Sequence, residues 1–247
     1  MMADVAEAEP AANTARSQPP VIALGEVSLT LGSRAGPVEI LRQVSLDIAA
    51  GSSIAIVGPS GSGKTSLLMI MSGLEKATAG RVRVAGHDFV ALGEDGLARA
   101  RGADIGIVFQ SFHLVPTMTA LENVALPLEF SGAPDAHARA SAMLAEVGLS
   151  HRHHHFPAQL SGGEQQRVAI ARALAPAPKI VFADEPTGNL DARTGAQIIE
   201  LLFAIRQRRQ TTLVLVTHDL ALAARCGRIE HMADGRLVAP TLEAATA

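Results

Sequence analysis

The sequence predicts an α/β fold in which helices cover both faces of a mostly parallel β-sheet. Short apolar runs rich in β-branched residues, at 53–58, 105–110, 179–184 and 212–218, alternate with segments of helical periodicity. A glycine-rich turn follows the first of these runs and leads directly into a helix. This alternation and the strand–turn–helix order indicate parallel strands joined by helical crossovers.

The other elements follow in chain order on both sides of this turn. Residues 1–20 are rich in Ala, Pro and Glu and predict a disordered tail, and 241–247 a short C-terminal tail, so that the folded domain spans 21–240. The remaining predicted strands lie at 21–31, 38–48, 81–86 and, as two short closing strands, 228–239. The predicted helices lie at 64–74, at 119–149 with an interruption at 131–135, and at 162–174, 191–207 and 219–226.

The composition of the chain limits the classes of protein to which it can belong. The chain has 247 residues, of which 48% are hydrophobic and 18% charged, so most of it is predicted to be globular. Its formal net charge of -3 argues against the broad basic surface of a nucleic-acid binder. The single cysteine, Cys226, excludes an intrachain disulfide and fits a reducing compartment. No signal peptide or membrane-spanning run is visible, so any link to a membrane is expected to come through a partner.

The turn after the strand at 53–58 is predicted to bind phosphate. Its sequence, GPSGSGKT at 58–65, fits the Gly-x-x-x-x-Gly-Lys-Thr pattern, in which glycines let backbone N–H groups approach a phosphate chain. Lys64 is expected to reach the β- and γ-phosphates and Thr65 to bind Mg²⁺. The predicted phosphate-contacting residues are Gly58, Pro59, Ser60, Gly61, Ser62, Gly63, Lys64, Thr65 and Ser66.

Two adjacent carboxylates end the apolar run at 179–184. Carboxyl ends of parallel strands face the crevice where ligands bind, so Asp184 and Glu185 are expected at the phosphate site. Asp184 is interpreted as a Mg²⁺ ligand, either direct or through water. Glu185 is interpreted as the residue that polarises the attacking water. An Asp-Glu pair on its own is more often a solvated turn, and the upstream phosphate loop favours the catalytic interpretation here.

The segment LSGGEQQ at 160–166 narrows the interpretation to one family. Together with GPSGSGKT and FADEP at 182–186, it makes the chain resemble the ATP-binding subunits of ABC transporters. The resemblance implies a P-loop ABC-type nucleotide-binding domain with a mostly parallel sheet core, an antiparallel β subdomain and a small helical subdomain at about 111–165. It also implies an ATPase that uses ATP and Mg²⁺.

Further roles come from the resemblance alone. Matching family positions imply that Gln110 contacts Mg²⁺ or its water, that His218 contacts the γ-phosphate, and that residues 189–191 cross a dimer interface. Ser161, Gly162 and Gly163 match the family signature, which faces the phosphate loop of a second copy in a head-to-tail dimer. Ser161 followed by Glu164 also fits a helix capping box, and both interpretations can hold together.

The resemblance extends to one branch. The segments 106–128, 157–174, 182–191 and 217–238 are most similar to the lipoprotein-release, macrolide-export and FtsE-like branch, and the last of them to its YbbA-type members. This implies an integral membrane permease of FtsX-like type as partner and a cytoplasmic location on the inner face of the membrane. The groove between Gln110 and the helical segment 119–149 is expected to receive that permease.

Two other functions stay open beside an ATPase subunit that drives a permease. A soluble ABC-type ATPase acting on nucleic acid or ribosomes usually carries a long coiled insertion or two fused cassettes, and this chain has neither. A regulatory module that binds nucleotide without hydrolysing it is disfavoured by the presence of Glu185 and His218.

The five residues HRHHH at 151–155 suggest a metal site at first sight. They lack a neighbouring Cys or acidic ligand, and metal sites need a ligand set of defined geometry, so we interpret this segment as a solvated surface loop.

The chain departs from the family where adenine is bound. Most relatives stack the base on an aromatic residue shortly after the first strand, whereas this chain has Leu31 there and contains no Tyr or Trp. Leu31, with Val38, is expected to supply apolar contact instead. Because stacking a base on an aromatic side chain contributes about 1–3 kcal/mol in nucleic-acid binders, we predict weak base discrimination. Turnover of ATP and GTP should therefore be similar, and a strong preference for ATP would contradict this prediction.

Overall fold

A computed structural model describes residues 19–34 and 36–239. The predicted tails lie outside these residues, apart from Pro19 and Pro20. The strands of the described part are β1 (Ile22–Ser33), β2 (Gly36–Ile48), β3 (Ser53–Val57), β4 (Ala79–Val84), β5 (His87–Asp88), β6 (Ile105–Phe109), β7 (Ile180–Asp184), β8 (Thr212–Val216), β9 (Arg228–Ala233) and β10 (Arg236–Val238).

The helices follow the predicted order with one addition. They are α1 (Lys64–Met71), α2 (Glu94–Asp104), α3 (Ala120–Phe130), α4 (Ala136–Glu146), α5 (Gly162–Leu174), α6 (Ala192–Arg209) and α7 (Leu220–Ala223), with a 3₁₀ turn at Pro157–Gln159. The first helix is shorter than predicted because the chain turns at Gly73, whose φ is +69°. The sequence did not predict α2, whose buried face is thin and whose interior contains two glycines. Within the described ranges, none of the helices combines the length and apolar character needed to cross a bilayer.

Two sheets form the framework. The larger has the order β10-β9-β3-β8-β7-β6, and all of its neighbouring pairs are parallel except β9 with β10. The smaller, with the order β2-β1-β4-β5, is antiparallel throughout. Together with the helices these sheets confirm the predicted fold class, a parallel core with an antiparallel β subdomain and a small helical subdomain. The boundaries proposed for that helical subdomain stay a prediction.

The larger sheet separates two hydrophobic cores. Alternate residues of one strand point to opposite faces, so in β7 Val181 packs with α3 to α6, whereas Phe182 packs with α1 and the antiparallel sheet. In β8, Leu213 and Val214 are divided in the same way. Both faces are therefore dry, and polar groups that must meet a ligand are confined to the edge of the sheet.

The helical lobe, defined here as α3 and α4, packs on α5 and on one face of the larger sheet. Its base is fixed by Asn123, which is fully buried. The Asn123 Oδ1 accepts from the Val115 N–H at 2.8 Å, and its Nδ2 donates to the carbonyls of Val115, Met118 and Thr119 at 3.1, 3.0 and 3.0 Å. One side chain thus holds the loop that leads from β6 into α3.

We predict that Asn123→Ala destabilises the domain. The change leaves the partly buried Val115 amide and several carbonyls without their partner, which should lower the free energy of unfolding by roughly 2–3 kcal/mol. Urea unfolding followed by circular dichroism measures this, with the exposed Ser150→Ala as control. Equal stability of the two variants would contradict the prediction.

Candidate active site

Four adjacent parallel strands deliver the predicted catalytic residues to one edge of the sheet. The chain leaves β3 into the glycine-rich loop, β6 into Gln110, β7 into Glu185 and β8 into His218. A cavity of about 780 Å³ opens at this edge. Ten predicted residues line it: Ser60, Gly61, Gly63, Lys64, Thr65, Ser66, Gln110, Asp184, Glu185 and His218.

The glycine-rich loop has the backbone shape of an anion cradle. Gly61 and Gly63 adopt φ values of +80° and +100°, which glycine reaches without strain, and Gly63 is the N-cap of α1. A Cβ added at Gly61 would meet nothing within 4 Å, so its open side faces the cavity. Lys64 is only 9% exposed, and its Nζ donates to the carbonyls of Gly58 and Pro59 at 2.8 and 2.9 Å. Its charge is therefore held inside the loop.

The underside of the loop rests on the turn between β9 and β10. The Gly235 N–H donates to the Ser62 carbonyl at 3.1 Å, and Ser62 itself is buried. A Cβ at Gly58 would come within 2.1 Å of the Met232 carbonyl. Gly58, Pro59 and Ser62 thus shape the loop from below, and they are not among the residues that line the cavity.

Asp184 and Thr65 form a polar pair on the cavity wall. The Thr65 hydroxyl donates to the Asp184 Oδ2 at 3.1 Å. Burial raises the pKa of Asp184, and the neighbouring charge of Glu185 raises it further, whereas the Thr65 hydrogen bond and Lys64 lower it. The ionised form is thus held at a cost that a cation would offset.

The donor set at this wall fits Mg²⁺. Thr65, Asp184 and Gln110 offer a hydroxyl, a carboxylate and an amide oxygen, the hard ligands that Mg²⁺ prefers. No group of three or more His, Cys, Asp or Glu side chains in the described part of the chain could hold a metal by itself. The residues therefore fit a metal that arrives with phosphate ligands of its own.

Glu185 is held in place by β8. Its Oε1 accepts from the backbone N–H of His218 at 3.0 Å and from the His218 Nδ1 at 2.7 Å, and its Oε2 accepts from the Thr217 hydroxyl at 3.3 Å. Glu185 has a φ of +45°, an unusual conformation for this residue, and its N–H donates to the Val216 carbonyl at 2.9 Å. Because the His218 Nδ1 donates to the carboxylate, its Nε2 remains available on the other side of the ring.

Gln110 is bonded to the loop after Glu185. Its Nε2 donates to the Asn189 Oδ1 at 3.2 Å, and the Asn189 Nδ2 donates back to the Gln110 carbonyl at 3.0 Å. Gly188 allows this contact, since a Cβ there would approach the Gln110 Nε2 to 2.7 Å. The segment matched to a dimer interface is thus tied directly to a cavity residue.

Ser161, Gly162 and Gly163 lie at a second helix start, that of α5, and are not among the described residues that line the cavity. The predicted capping box is confirmed. The Glu164 N–H donates to the Ser161 Oγ at 3.3 Å, and the Glu164 Oε2 accepts from the Ser161 N–H and hydroxyl, both at 2.9 Å. One chain therefore carries two separate helix N-termini suited to anions.

Leu31 is predicted from the sequence to contact the base. It lies near the end of β1 opposite Val38, and it is 42% exposed and outside the described lining of the cavity. The antiparallel sheet instead contributes Ile40, because β2 passes over the glycine-rich loop before reaching the core. Ile40, Gly188 and Val216 line the cavity without having been predicted, since no local motif marks them.

Residues 151–155 are more than a solvated loop. His151 and His154 are largely exposed, whereas Arg152, His153 and His155 are half-buried. The segment bonds to both α3 and the cap of α5, contacts between distant segments that the sequence pattern did not reveal.

Comparison with known proteins agrees with this geometry. The ABC transporter family profile matches residues 41–188. The lipoprotein-releasing system ATP-binding protein LolD of Geobacter metallireducens is 50% identical over 217 residues, which cover 86% of this chain and 96% of the relative. YbbA of Escherichia coli K12, described as an uncharacterized ABC transporter ATP-binding protein, is 46% identical over 219 residues, with 88% and 96% covered.

Solved structures agree as well. The ATP-binding cassette MJ0796, determined as a dimer in a post-hydrolysis state with ADP and Pi, superposes with a TM-score of 0.82 at 41% identity. The match covers 88% of this chain and 97% of that one. The chain therefore belongs to the ABC transporter family, as an ATP-binding subunit with ATPase activity. The predicted branch is confirmed by the LolD and YbbA relatives.

We predict that Asp184→Asn stabilises the nucleotide-free domain. Because the pKa of Asp184 is raised in the folded state, its ionised form destabilises the fold above that pKa, and this penalty disappears as the pH falls below the unfolded value. At pH 7.5 in the presence of a chelator, the variant should have a higher melting temperature than the wild type. The difference between the two melting temperatures should disappear near pH 4.

The matched control is Asp191→Asn at the N-cap of α6. The Thr194 hydrogen bonds lower the pKa of Asp191, so this carboxylate stabilises the fold at neutral pH, and that contribution is lost as the pH falls. Differential scanning calorimetry should show no gain at pH 7.5 for this variant. A fall in melting temperature for Asp184→Asn at pH 7.5 would refute the prediction.

Proposed function

We propose that two copies of this chain bind two ATP molecules between them, head to tail, and that the hydrolysis cycle drives an FtsX-like membrane permease. The observation that carries the proposal is the separation of the two anion-binding helix starts. Lys64 lines the cavity, whereas Ser161, Gly162 and Gly163 do not. A single nucleotide can use both sites only if the second one comes from another copy.

Within one copy the glycine-rich loop holds the triphosphate. The backbone N–H groups at 60–66 and the N-terminus of α1 surround the phosphates, and Lys64 exchanges part of its bonding to the loop carbonyls for phosphate oxygens. Ile40 is an apolar residue of the cavity lining and is proposed to contact the base. Because the contact is aliphatic, it supports the weak base discrimination predicted from the sequence.

Mg²⁺ would be held by Thr65, Asp184 and Gln110, and when bound it supplies positive charge to the phosphates. The residues of this chain do the rest. The Thr65 hydroxyl donates to Asp184 and thereby favours its ionised form, and Gln110 keeps its position through Asn189.

Glu185 is proposed as the group that orients and deprotonates the attacking water. Its carboxylate is held by the His218 N–H, the His218 ring and the Thr217 hydroxyl, so it does not have to reorganise when water arrives. The His218 ring, held on its Nδ1 side, presents Nε2 to the γ-phosphate. This geometry supplies phosphate binding, base and phosphate sensor, as phosphoryl transfer requires.

The permease is proposed to dock beside the helical lobe. Leu114 and Leu121 are partly buried at the lobe, and Phe130 at the end of α3 is 83% exposed. The relative LolD is named as part of a lipoprotein-releasing system, which supports a membrane partner for this chain too. That placement corresponds to a cytoplasmic, peripheral location.

We predict that Glu185→Gln traps the dimer. The amide keeps the hydrogen bonds from His218 but cannot accept a proton, so kcat should fall by about 10²–10⁴ while ATP binding survives. ATP should then convert the variant from monomer to dimer, measured by size-exclusion chromatography with light scattering.

Adding Lys64→Ala to the same background should abolish the ATP-dependent dimer, because the phosphate contact is lost. If Glu185→Gln stays monomeric in saturating ATP with and without Mg²⁺, and also beside its membrane partner, the head-to-tail proposal fails. Purification from membranes tests the permease, since a soluble ATPase acting on nucleic acid would bring down no integral protein.

A further inference from the structure

The loop at 151–155 joins the helical lobe to the start of α5. The His155 carbonyl accepts from the Ala120 N–H at 2.8 Å, and the His153 carbonyl accepts from the Leu121 N–H at 3.0 Å. These are backbone donors of the first turn of α3 that have no partner within the helix. The loop thus caps α3 from outside with its backbone, which leaves its side chains free for other contacts.

Arg152 uses its side chain to reach the capping box of α5. Its Nε donates to the Glu164 Oε1 at 2.8 Å, while the other oxygen of Glu164 accepts from Ser161. The Arg152 Nη1 lies 3.0 Å from the His155 Nε2. Arginine can only donate, so His155 is the tautomer with an unprotonated Nε2. The Arg152 guanidinium is therefore held at two of its nitrogens, and the side chain is half-buried.

The Arg152 guanidinium compensates the negative charge of the Glu164 carboxylate. The Ser161 backbone bond lowers the pKa of Glu164, so the carboxylate is ionised and lies within hydrogen-bond distance of the Ser161 hydroxyl. In a head-to-tail dimer that hydroxyl faces the triphosphate of the other copy. An uncompensated carboxylate beside it would repel the phosphate charge. The Arg152 guanidinium is the cation bonded to this carboxylate in the described part of the chain.

We propose that Arg152 is a positioning residue for the nucleotide bound by the second copy. By neutralising Glu164 and fixing its orientation, it lets Ser161 and the N–H groups at the start of α5 bind the γ-phosphate across the interface. The inference rests on the proposed head-to-tail dimer and deepens it. Because the same loop caps α3, a shift of the helical lobe would also move Arg152 relative to Glu164.

The test uses the Glu185→Gln chain, in which ATP-dependent dimer formation is measured without turnover. Arg152→Met keeps the length of the side chain and removes its charge. The ATP concentration for half-maximal dimer should rise roughly tenfold, the scale of one lost charge-assisted hydrogen bond. Arg139→Met is the matched control, since Arg139 bonds the Ala175 carbonyl and does not contact Glu164. It should leave that concentration unchanged.

The second arm removes the charge that Arg152 compensates. Glu164→Gln keeps an oxygen for the Ser161 N–H but carries no charge. In the double variant Arg152→Met/Glu164→Gln, the half-maximal ATP concentration should return to within about twofold of that of Glu164→Gln alone. If the two residues acted independently, Arg152→Met would instead raise this concentration in both backgrounds by the same factor. Thermal unfolding of each variant separates this effect from a loss of fold.

Three results would overturn the inference. Arg152→Met could leave the ATP dependence unchanged, or the double variant could remain as weak as Arg152→Met. Arg152→Met and the double variant could also both show a lower melting temperature together with weaker ATP-dependent dimer formation. In that case Arg152 would only stabilise the fold. If the Glu185→Gln chain with intact Arg152 forms no dimer, the head-to-tail proposal fails first, so the two failures are distinguishable.

Discussion

The parallel register of four neighbouring strands is the constraint on which the site depends. Asp184 lies opposite Val216 in β8 and Phe109 in β6, and Ile56 of β3 lies opposite Val216. The residues that follow these positions leave the sheet at one level and at one edge. A slip of one residue in any pair would turn its side chains to the opposite face and dismantle the cavity. Hydrogen bonds of the backbone therefore set the distances between catalytic groups.

Burial of both sheet faces has a consequence for the energetics of the site. Apolar side chains dominate the two cores, and the predicted site residues gather where the strands end, next to apolar residues such as Val216. Burial at this position raises the pKa of Asp184, so its ionised form carries a free-energy cost. The fold accepts this cost at the position where a cation is proposed to bind. Stability and the proposed binding of Mg²⁺ are therefore opposed at this residue.

Helix α5 begins at Ser161, Gly162 and Gly163, a second helix N-terminus that is not part of the described cavity lining. Ser161 is positioned by Glu164, Glu164 is paired with Arg152, and the backbone beside Arg152 caps α3. The helical lobe and the signature are thus joined by hydrogen bonds over a short path. On the other side, Gln110 is joined to Asn189. Both connections link surfaces proposed for a partner to groups proposed for the nucleotide.

The sequence by itself predicted the candidate site residues and determined the order of most elements. GPSGSGKT, FADEP and LSGGEQQ are local patterns, and strand and helix periods are local too. Tertiary structure alone decided the contacts between distant segments, such as Ile40 in the cavity and Leu31 outside it, and Arg152 bonded to Glu164. The formation of α2 also depends on tertiary structure, because its few buried residues form an apolar face only when they pack against β6 and α1. Short-range sequence patterns determine on which face of its helix or strand a residue lies. The packing of separate elements determines which residues that face contacts.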